Sequence, residues 1–241
     1  MQDSEAHYRT HLGPVYAWML GDLEAAFARG AAEIAALPIP SYGIAVDLGA
    51  GLGLHALPLA QRGLKVVALD NCKVLLDELR SKAVDLPIRV HDADLLQFPS
   101  LVKDAVQVIV CMGDTLTHLP SQASVEALLS HAAGSLVRGG VFAATFRDYA
   151  TRALQGDQRF ILVRAGEDRI LTCFLEYGET QVIVHDVLTE KERGQWHQKV
   201  SSYPKLRLEP EWVAARLAEK GCSVKRDVTP SGMVRIVATK A

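Results

Sequence analysis

The chain has 241 residues, 49% of them hydrophobic, with 26 Lys+Arg against 28 Asp+Glu and four cysteines. That length allows one or two domains, and the hydrophobic fraction excludes a disordered chain. A formal net charge of −2 gives no electrostatic footprint for nucleic acid or an anionic membrane. Cys72, Cys111, Cys173 and Cys222 are widely spaced and form no CxxC pair. This excludes a local zinc knuckle and favours four reduced thiols over a disulfide framework, so no metal is expected. The opening Met1-Gln2-Asp3-Ser4-Glu5 lacks the basic and apolar regions of a signal peptide. No apolar run approaches the ~20 residues that a membrane span needs. A cytoplasmic protein is expected, with neither a nucleic-acid nor a membrane partner.

In chain order, residues 4–36 carry helical periodicity, with Tyr8, Leu12, Val15, Tyr16, Met19 and Leu23 recurring at threes and fours. Pro38 and Pro40 end that segment. Strands are predicted at Ile44–Leu48, Lys65–Asp70, Ile88–His91, Ala105–Met112 and Val141–Phe146, with helices near 54–62, 72–84 and 121–137. Apolar strands alternating with helices predict a doubly wound, mostly parallel α/β sheet, whose ligands lie beyond the carboxyl ends of the strands. After Arg147 the pattern changes to short strands and tight turns. Arg159–Val163, Ile170–Tyr177, Gln181–Leu188 and Gln195–Tyr203 predict an inserted antiparallel β meander. A helix then starts at Glu209-Pro210-Glu211 and ends at Gly221. Ser223–Val228 and Met233–Thr239 flank the turn Thr229-Pro230-Ser231-Gly232 and make an antiparallel C-terminal hairpin, which brings the main sheet to seven strands.

The most informative stretch is Val46-Asp47-Leu48-Gly49-Ala50-Gly51-Leu52-Gly53, at the end of the first strand and the start of a helix. Glycines there let a ligand approach the backbone closely. Shifted by one register, Gly51-x-Gly53-x-x-Ala56 also matches the dinucleotide fingerprint, so an NAD(P)-dependent oxidoreductase is the competing reading. Three acids bear on the choice. Asp47 at the strand end is costly without a cationic or hydrogen-bonding partner, and a pyrophosphate would be repelled by it. Asp70 closes the second strand, placed for both hydroxyls of a ribose, which either cofactor carries. Asp92, in Val90-His91-Asp92-Ala93-Asp94, can receive an adenine amino group. Acceptors for an amine, a ribose and an adenine on three successive strand ends describe S-adenosylmethionine.

With these motifs on hand, Asp47-x-Gly49-x-Gly51-x-Gly53, Asp70, and His91-Asp92-Ala93 followed by Phe98, residues 44–147 resemble the core of the class I S-adenosylmethionine-dependent methyltransferases. The hairpin at 223–239 resembles the sixth and seventh strands of that fold. The resemblance implies cofactor contact at Asp47, Gly49, Ala50, Gly51, Asp70, Asp92 and Cys111. It also implies adenine support from the main chain of Ala93, with Asn71 flanking the ring. More narrowly, Cys111-Met112-Gly113-Asp114-Thr115-Leu116-Thr117-His118-Leu119-Pro120 and Phe146-Arg147-Asp148-Tyr149 are similar to segments of glycine/sarcosine N-methyltransferases. Asp114 departs from that group, which commonly has Asn there. The base-modifying signature Asn/Asp-Pro-Pro-Tyr is absent, which points to a small-molecule acceptor.

In such a reaction the cofactor carries the reactive carbon and the protein supplies placement and electrostatics. An acceptor nitrogen is favoured over oxygen. Asp114, His118 and Tyr149 are the candidate catalytic residues, on loops at the correct sheet edge. Asp114 serves equally as a turn residue, and His118 as a packed one. Tyr16, Arg147 and Tyr149 are candidate acceptor contacts. Trp196, His197 and Tyr203 belong to the pocket, the core or a homo-oligomer contact. The chain is expected to be a single domain, 1–241, with an N-terminal helical lid (1–40), a core (41–147 and 209–241) and the meander (148–208) roofing the acceptor site. A non-catalytic cofactor-binding protein on the same fold is the third reading.

Overall fold

The computed structural model describes residues 3–241, so Met1 and Gln2 of the expected lid lie outside the described residues. The helical run expected over 4–36 is broken into α1 (Ser4–His7), a widened turn over Tyr8–Leu12, a tight turn over Gly13–Val15, α2 (Tyr16–Leu20) and α3 (Leu23–Ala35). Two local causes produce the breaks. Pro14 has no N–H to continue a helix, and Gly21, at φ +86°, ends α2 in a conformation that disfavours a side chain. α1 and α3 start on side-chain caps, with Asp3 Oδ1 accepting from the Ala6 amide at 2.7 Å and Asp22 Oδ1 from the Ala25 amide at 3.2 Å, whereas α2 has none.

The main sheet follows the predicted plan. β1 (Ile44–Leu48), β2 (Lys65–Asp70), β3 (Ile88–Asp92), β4 (Val106–Cys111) and β5 (Leu136–Phe146) pair in parallel in the order β3-β2-β1-β4-β5. Their carboxyl ends therefore share one edge, and the strand order reverses between β1 and β4. Alternation sends Ala45 to one face and Val46 and Leu48 to the other. On Ala45's face pack α3, α4 (Ala56–Gln61) and α5 (Lys73–Lys82), through Ile34, Leu59, Leu76 and Leu79. The opposite face receives α6 (Phe98–Leu101), α7 (Gln122–Ser135) and α8 (Pro210–Glu219), through Phe98, Leu128 and Leu217. β5 starts five residues before the expected Val141. Leu136 pairs with Val106, and a register shift between Val106 and Val108 absorbs the extra length.

The insert is an antiparallel sheet of β6 (Phe160–Ala165), β7 (Arg169–Tyr177), β8 (Gln181–Glu192) and β9 (Gln195–Leu206). β8 and β9 run longer than their patterns suggested. β9 runs past the expected end at Tyr203 through Pro204, because it is an edge strand, where a missing ladder donor costs nothing. β10 (Cys222–Val228) and β11 (Val234–Lys240) close the chain, with β11 antiparallel to β5 and β10 on the edge. Among the described residues, no helix is long and apolar enough to cross a membrane.

Candidate active site

The glycine turn after β1 is tied down by its own amides. Gly49 and Ala50 both donate to the Leu69 carbonyl at 2.9 Å. The Gly51 amide donates to Asp70 Oδ2 at 2.8 Å, while Asp70 Oδ1 accepts from the Cys72 amide at 2.8 Å. Asp70 thus clamps the turn to the end of β2. Burial raises the Asp70 carboxyl above its ordinary range, against the pull of those amides. Over the turn lies a cavity of about 360 Å³, at the reversal of strand order where ligands of open α/β sheets bind. Gly49, Ala50, Gly51, Asp70, Asn71 and Ala93 line it. Gly53 does not, because its φ of +95° turns it toward Leu79, whose Cδ1 would sit 2.5 Å from an added Cβ. The glycine of the shifted dinucleotide register is a packing residue.

Asp47 lies behind this wall, 1% exposed, on the same face of β1 as Ala45, under α3, α4 and α5. Neither of its carboxylate oxygens has a hydrogen-bond partner. Burial pushes its pKa up to about 6, eased in part by the His55 ring. An orphaned buried carboxylate one layer behind a cavity fits a ligand with a cationic group. It also costs the ligand-free chain stability. The folded pKa of about 6 exceeds the ~3.9 of an unfolded Asp. Stability is therefore lost as pH rises from about 4 to about 6, and the loss is complete above that. Asp47→Asn is expected to raise the melting temperature of the ligand-free chain at pH ~8 and to leave it unchanged near pH ~4. Calorimetry at both values checks this, and an equal shift at both would refute it.

A second cavity of about 680 Å³ adjoins the first, roofed by the insert. Tyr8 and Tyr16 line both cavities. Asp114 sits at its floor in the left-handed region, φ +77°, a strained position for a side chain. Three donors hold it there. The Arg147 amide reaches Oδ1 at 2.9 Å, while the Tyr149 hydroxyl at 3.2 Å and the Lys205 ammonium at 2.6 Å both reach Oδ2. Burial alone would raise the Asp114 pKa, but Lys205 and its other partners outweigh it and hold the carboxyl below its ordinary range. His118 lines the first cavity, with Tyr8 Oη 3.5 Å from its Nε2 and its Nδ1 unpartnered. Burial, with Lys205 next, pushes its pKa down to about 3, so the imidazole is neutral. Burial raises Tyr149 and Tyr203 well above their ordinary range and lifts Tyr16 to about 12.

The expected residues divide accordingly. Gly49, Ala50, Gly51, Asp70, Asn71, Ala93, Tyr16 and His118 line the first cavity; Asp114, Arg147, Tyr149 and again Tyr16 line the second. Asp47 lies behind the wall, and two others stand outside the lining. Cys111 is 0% exposed and belongs to the core under α7. Asp92 is exposed and outside the cavity lining, where Asp94 stands instead, two residues on and so on the same side of the chain. The Ala93 amide is committed to the Asp70 carbonyl at 3.0 Å, which leaves its carbonyl and side chain for a ligand. Lys205 escaped the sequence reading. Its signal was the alternation of buried Ser201, Tyr203 and Lys205 along β9, with Lys205 two residues past the expected strand end.

Residues 45–140 match a family described as a methyltransferase domain. A curated relative, the cypemycin N-terminal methyltransferase of a Streptomyces species, is 33% identical over 132 residues, covering 53% of this chain and 51% of the relative. The chain thus spans about half the length of the curated relative it matches. SAM-bound CalS10, an amino pentose methyltransferase from Micromonospora echinaspora, superimposes with a TM-score of 0.76 at 18% identity, over 96% of this chain and 97% of its own. Streptomyces venezuelae DesVI does so at 0.77 and 17%, over 95% and 98%. None of the three is described as a glycine/sarcosine N-methyltransferase. Residues 45–140 thus resemble a methyltransferase domain, and the chain as a whole shares the fold of these two solved structures.

Proposed function

We propose that this chain transfers a methyl group from S-adenosylmethionine to the nitrogen of a small-molecule amine. The observation that carries the choice of nitrogen is the state of the titratable groups at the acceptor cavity. Asp114 is saturated by three donors and holds its charge, and His118 is pushed down to about 3. Neither suits removal of a proton from an alcohol, whereas an amine needs only a free lone pair. The relatives named above for N-terminal and amino pentose substrates point the same way.

The residues of the first cavity fit the cofactor. Gly51 leaves its face open, with only Leu75 within 4 Å of an added Cβ, at 3.9 Å. Both Asp70 oxygens retain a lone pair for ribose hydroxyls. Leu75, Met112 and Leu119 offer apolar wall to a purine. When bound, the cofactor supplies an electrophilic methyl on its sulfonium. The chain's own residues then hold the acceptor in line with it and exclude water. Tyr8 and Tyr16 stand between the two cavities, and the N-terminal segment acts as the lid. The insert sets acceptor choice, since Leu171, Tyr203 and Lys205 all come from it. We place the activity in the cytoplasm, in keeping with four free, buried cysteines.

Methyl-labelled cofactor incubated with amino sugars, peptides with a free N-terminus, and the hydroxyl analogue of each tests this reading. Label is expected in amines only, with a rate that rises with pH until the amine is fully deprotonated. Transfer to hydroxyl analogues alone, or cofactor binding with no transfer, would overturn it.

A further inference from the structure

Tyr8, Tyr16, Leu54, His55 and Gly113 line both cavities and so mark where the two meet. His55 is the one among them that belongs to a carboxylate–imidazole dyad. Its Nε2 lies 2.7 Å from Glu33 Oε2, with the side chains 12% and 29% exposed. Glu33 reaches it from α3, while His55 stands at the start of α4, just past the glycine turn. The hydrogen bond to His55 leads the causes that hold the Glu33 carboxyl below its ordinary range, so the carboxylate is ionised and only accepts. The shared proton therefore sits on Nε2, and in the neutral ring Nδ1 keeps its lone pair. Among the described residues Nδ1 has no hydrogen-bond partner and, unlike Asp47, it is not sealed from solvent.

The charges around this lone pair call for a donor that is itself cationic or polar. Asp3, Glu5, Asp70 and Asp94 line the first cavity, and neither lysine nor arginine does. The second cavity balances four acids against four cations. Arg29 and Arg235 also face Glu33, but Arg29 is one of those four, and Arg235 is held by Asp227, Nε to Oδ1 at 2.9 Å. Asp47, with both oxygens unpartnered, adds a further acid behind the glycine turn. It is 1% exposed and too deep to meet a ligand, whereas His55 is on the lining.

We propose that Nδ1 of His55, oriented by Glu33, accepts an N–H from an amino group bound where the two cavities meet. Two ligands bring such a group: the methionyl end of S-adenosylmethionine and the acceptor amine. The first source rests on the cofactor of the proposed function, and the second on transfer to nitrogen as well. A methionyl ammonium would make a charge-assisted bond, with Glu33 behind the ring as its distant counter-charge. An acceptor amine would give one N–H to the ring and keep its lone pair free for the methyl. A mere pin between α3 and α4 would use Nε2 alone and leaves the place of the ring on both cavities unexplained.

The test compares three ligands by calorimetric titration at pH ~8, above the ordinary imidazole range. They are S-adenosylhomocysteine, its decarboxylated analogue, which keeps the amino group, and 5′-methylthioadenosine, which has neither charged group. His55→Phe keeps a ring and removes the lone pair. It is expected to weaken the first two by about 10- to 100-fold and to leave the third within about threefold of native. Glu33→Gln still accepts from Nε2 and should lose less than about fivefold, while Glu33→Leu should approach His55→Phe. Glu33→Leu carries the same comparison if His55→Phe does not fold. If His55→Phe binds all three as the native chain does, the amino group is the acceptor's. An amine from the panel should then bind the S-adenosylhomocysteine complex of that variant about 10- to 100-fold more weakly. An equal loss for all three ligands, a loss that spares the decarboxylated analogue, or no loss for cofactor or amine would overturn the proposal. Native binding of S-adenosylhomocysteine without methyl transfer would sink the proposed function and leave the three-ligand comparison intact.

Discussion

Asp70→Ala is expected to lower the affinity for S-adenosylhomocysteine by about 100-fold or more. The carboxylate accepts the amides of Gly51 and Cys72, both at 2.8 Å, and hydrogen bonds to a charged group are worth about 1.5–3 kcal/mol each. Losing it releases the Gly51 end of the turn, although Gly49 and Ala50 still hold to the Leu69 carbonyl, and leaves two amides without their acceptor before any ribose bond is counted. A deficit of about 3 kcal/mol in ordering the site is a factor of somewhat over 100 in Kd. Asp70→Asn keeps one acceptor oxygen without the charge and should fall between, near 10-fold. Because burial raises the Asp70 carboxyl, affinity should also begin to fall at a higher pH than the ordinary aspartate range, as the proton displaces the charge that the amides hold. Calorimetric titration of each variant, with a denaturant melt beside it, separates binding from stability. An affinity within about threefold of native in a folded Asp70→Ala chain would show that the clamp does not order the site.

The contrast between Asp70 and Lys205 shows what one-dimensional patterns carry. β1 and β2 were predicted at their observed bounds, and Asp70 at the end of β2 lies where the pattern put it. Strand period, the glycine turn and the acid that follows are all local signals. Lys205, on β9 of the insert, and Asp114, in the turn after β4, are 91 residues apart, and their pairing depends on how the insert folds back over the core. Asp114 alone reads as a turn residue. Its role as a buried counter-charge exists only with its partner in place. The acid of the third strand lies outside the cavity lining for a smaller reason. Asp92 and Asp94 point to the same side of an extended chain, and the sequence does not say how far β3 runs before the chain turns away. Alternation puts Cys111 outside the lining, since its neighbour Met112 reaches the cavity while Cys111 faces α7. Residues of the N-terminal segment line the cavities, but Pro14 and Gly21 outweighed periodicity in setting its breaks.

Gly49→Ala and Gly51→Ala are expected to fail in opposite ways, although they are the same change two residues apart. At Gly49, φ is +81° and an added Cβ would lie 2.4 Å from Thr115 Cγ2 and 2.6 Å from Thr115 Oγ1. Thr115 cannot easily give way, because its hydroxyl donates to the Met112 carbonyl at 2.8 Å and it follows the strained Asp114. The left-handed backbone costs alanine about 1–2 kcal/mol, and overpacking adds about 1–3 kcal/mol. Gly49→Ala should therefore destabilise the chain by about 3 kcal/mol, with cofactor affinity falling as a consequence of the displaced turn. At Gly51, φ is +51° and the nearest atom to an added Cβ is Leu75 Cδ1 at 3.9 Å. Only the backbone cost of about 1 kcal/mol remains there. The methyl instead occupies the face that a cofactor must approach, so affinity should fall about 100-fold or more while the melting temperature drops by only a few degrees. Denaturant melts and calorimetric titrations on both variants decide the matter. If Gly51→Ala binds S-adenosylhomocysteine as the native chain does, the turn is not the cofactor's cradle, whatever Gly49→Ala does to stability.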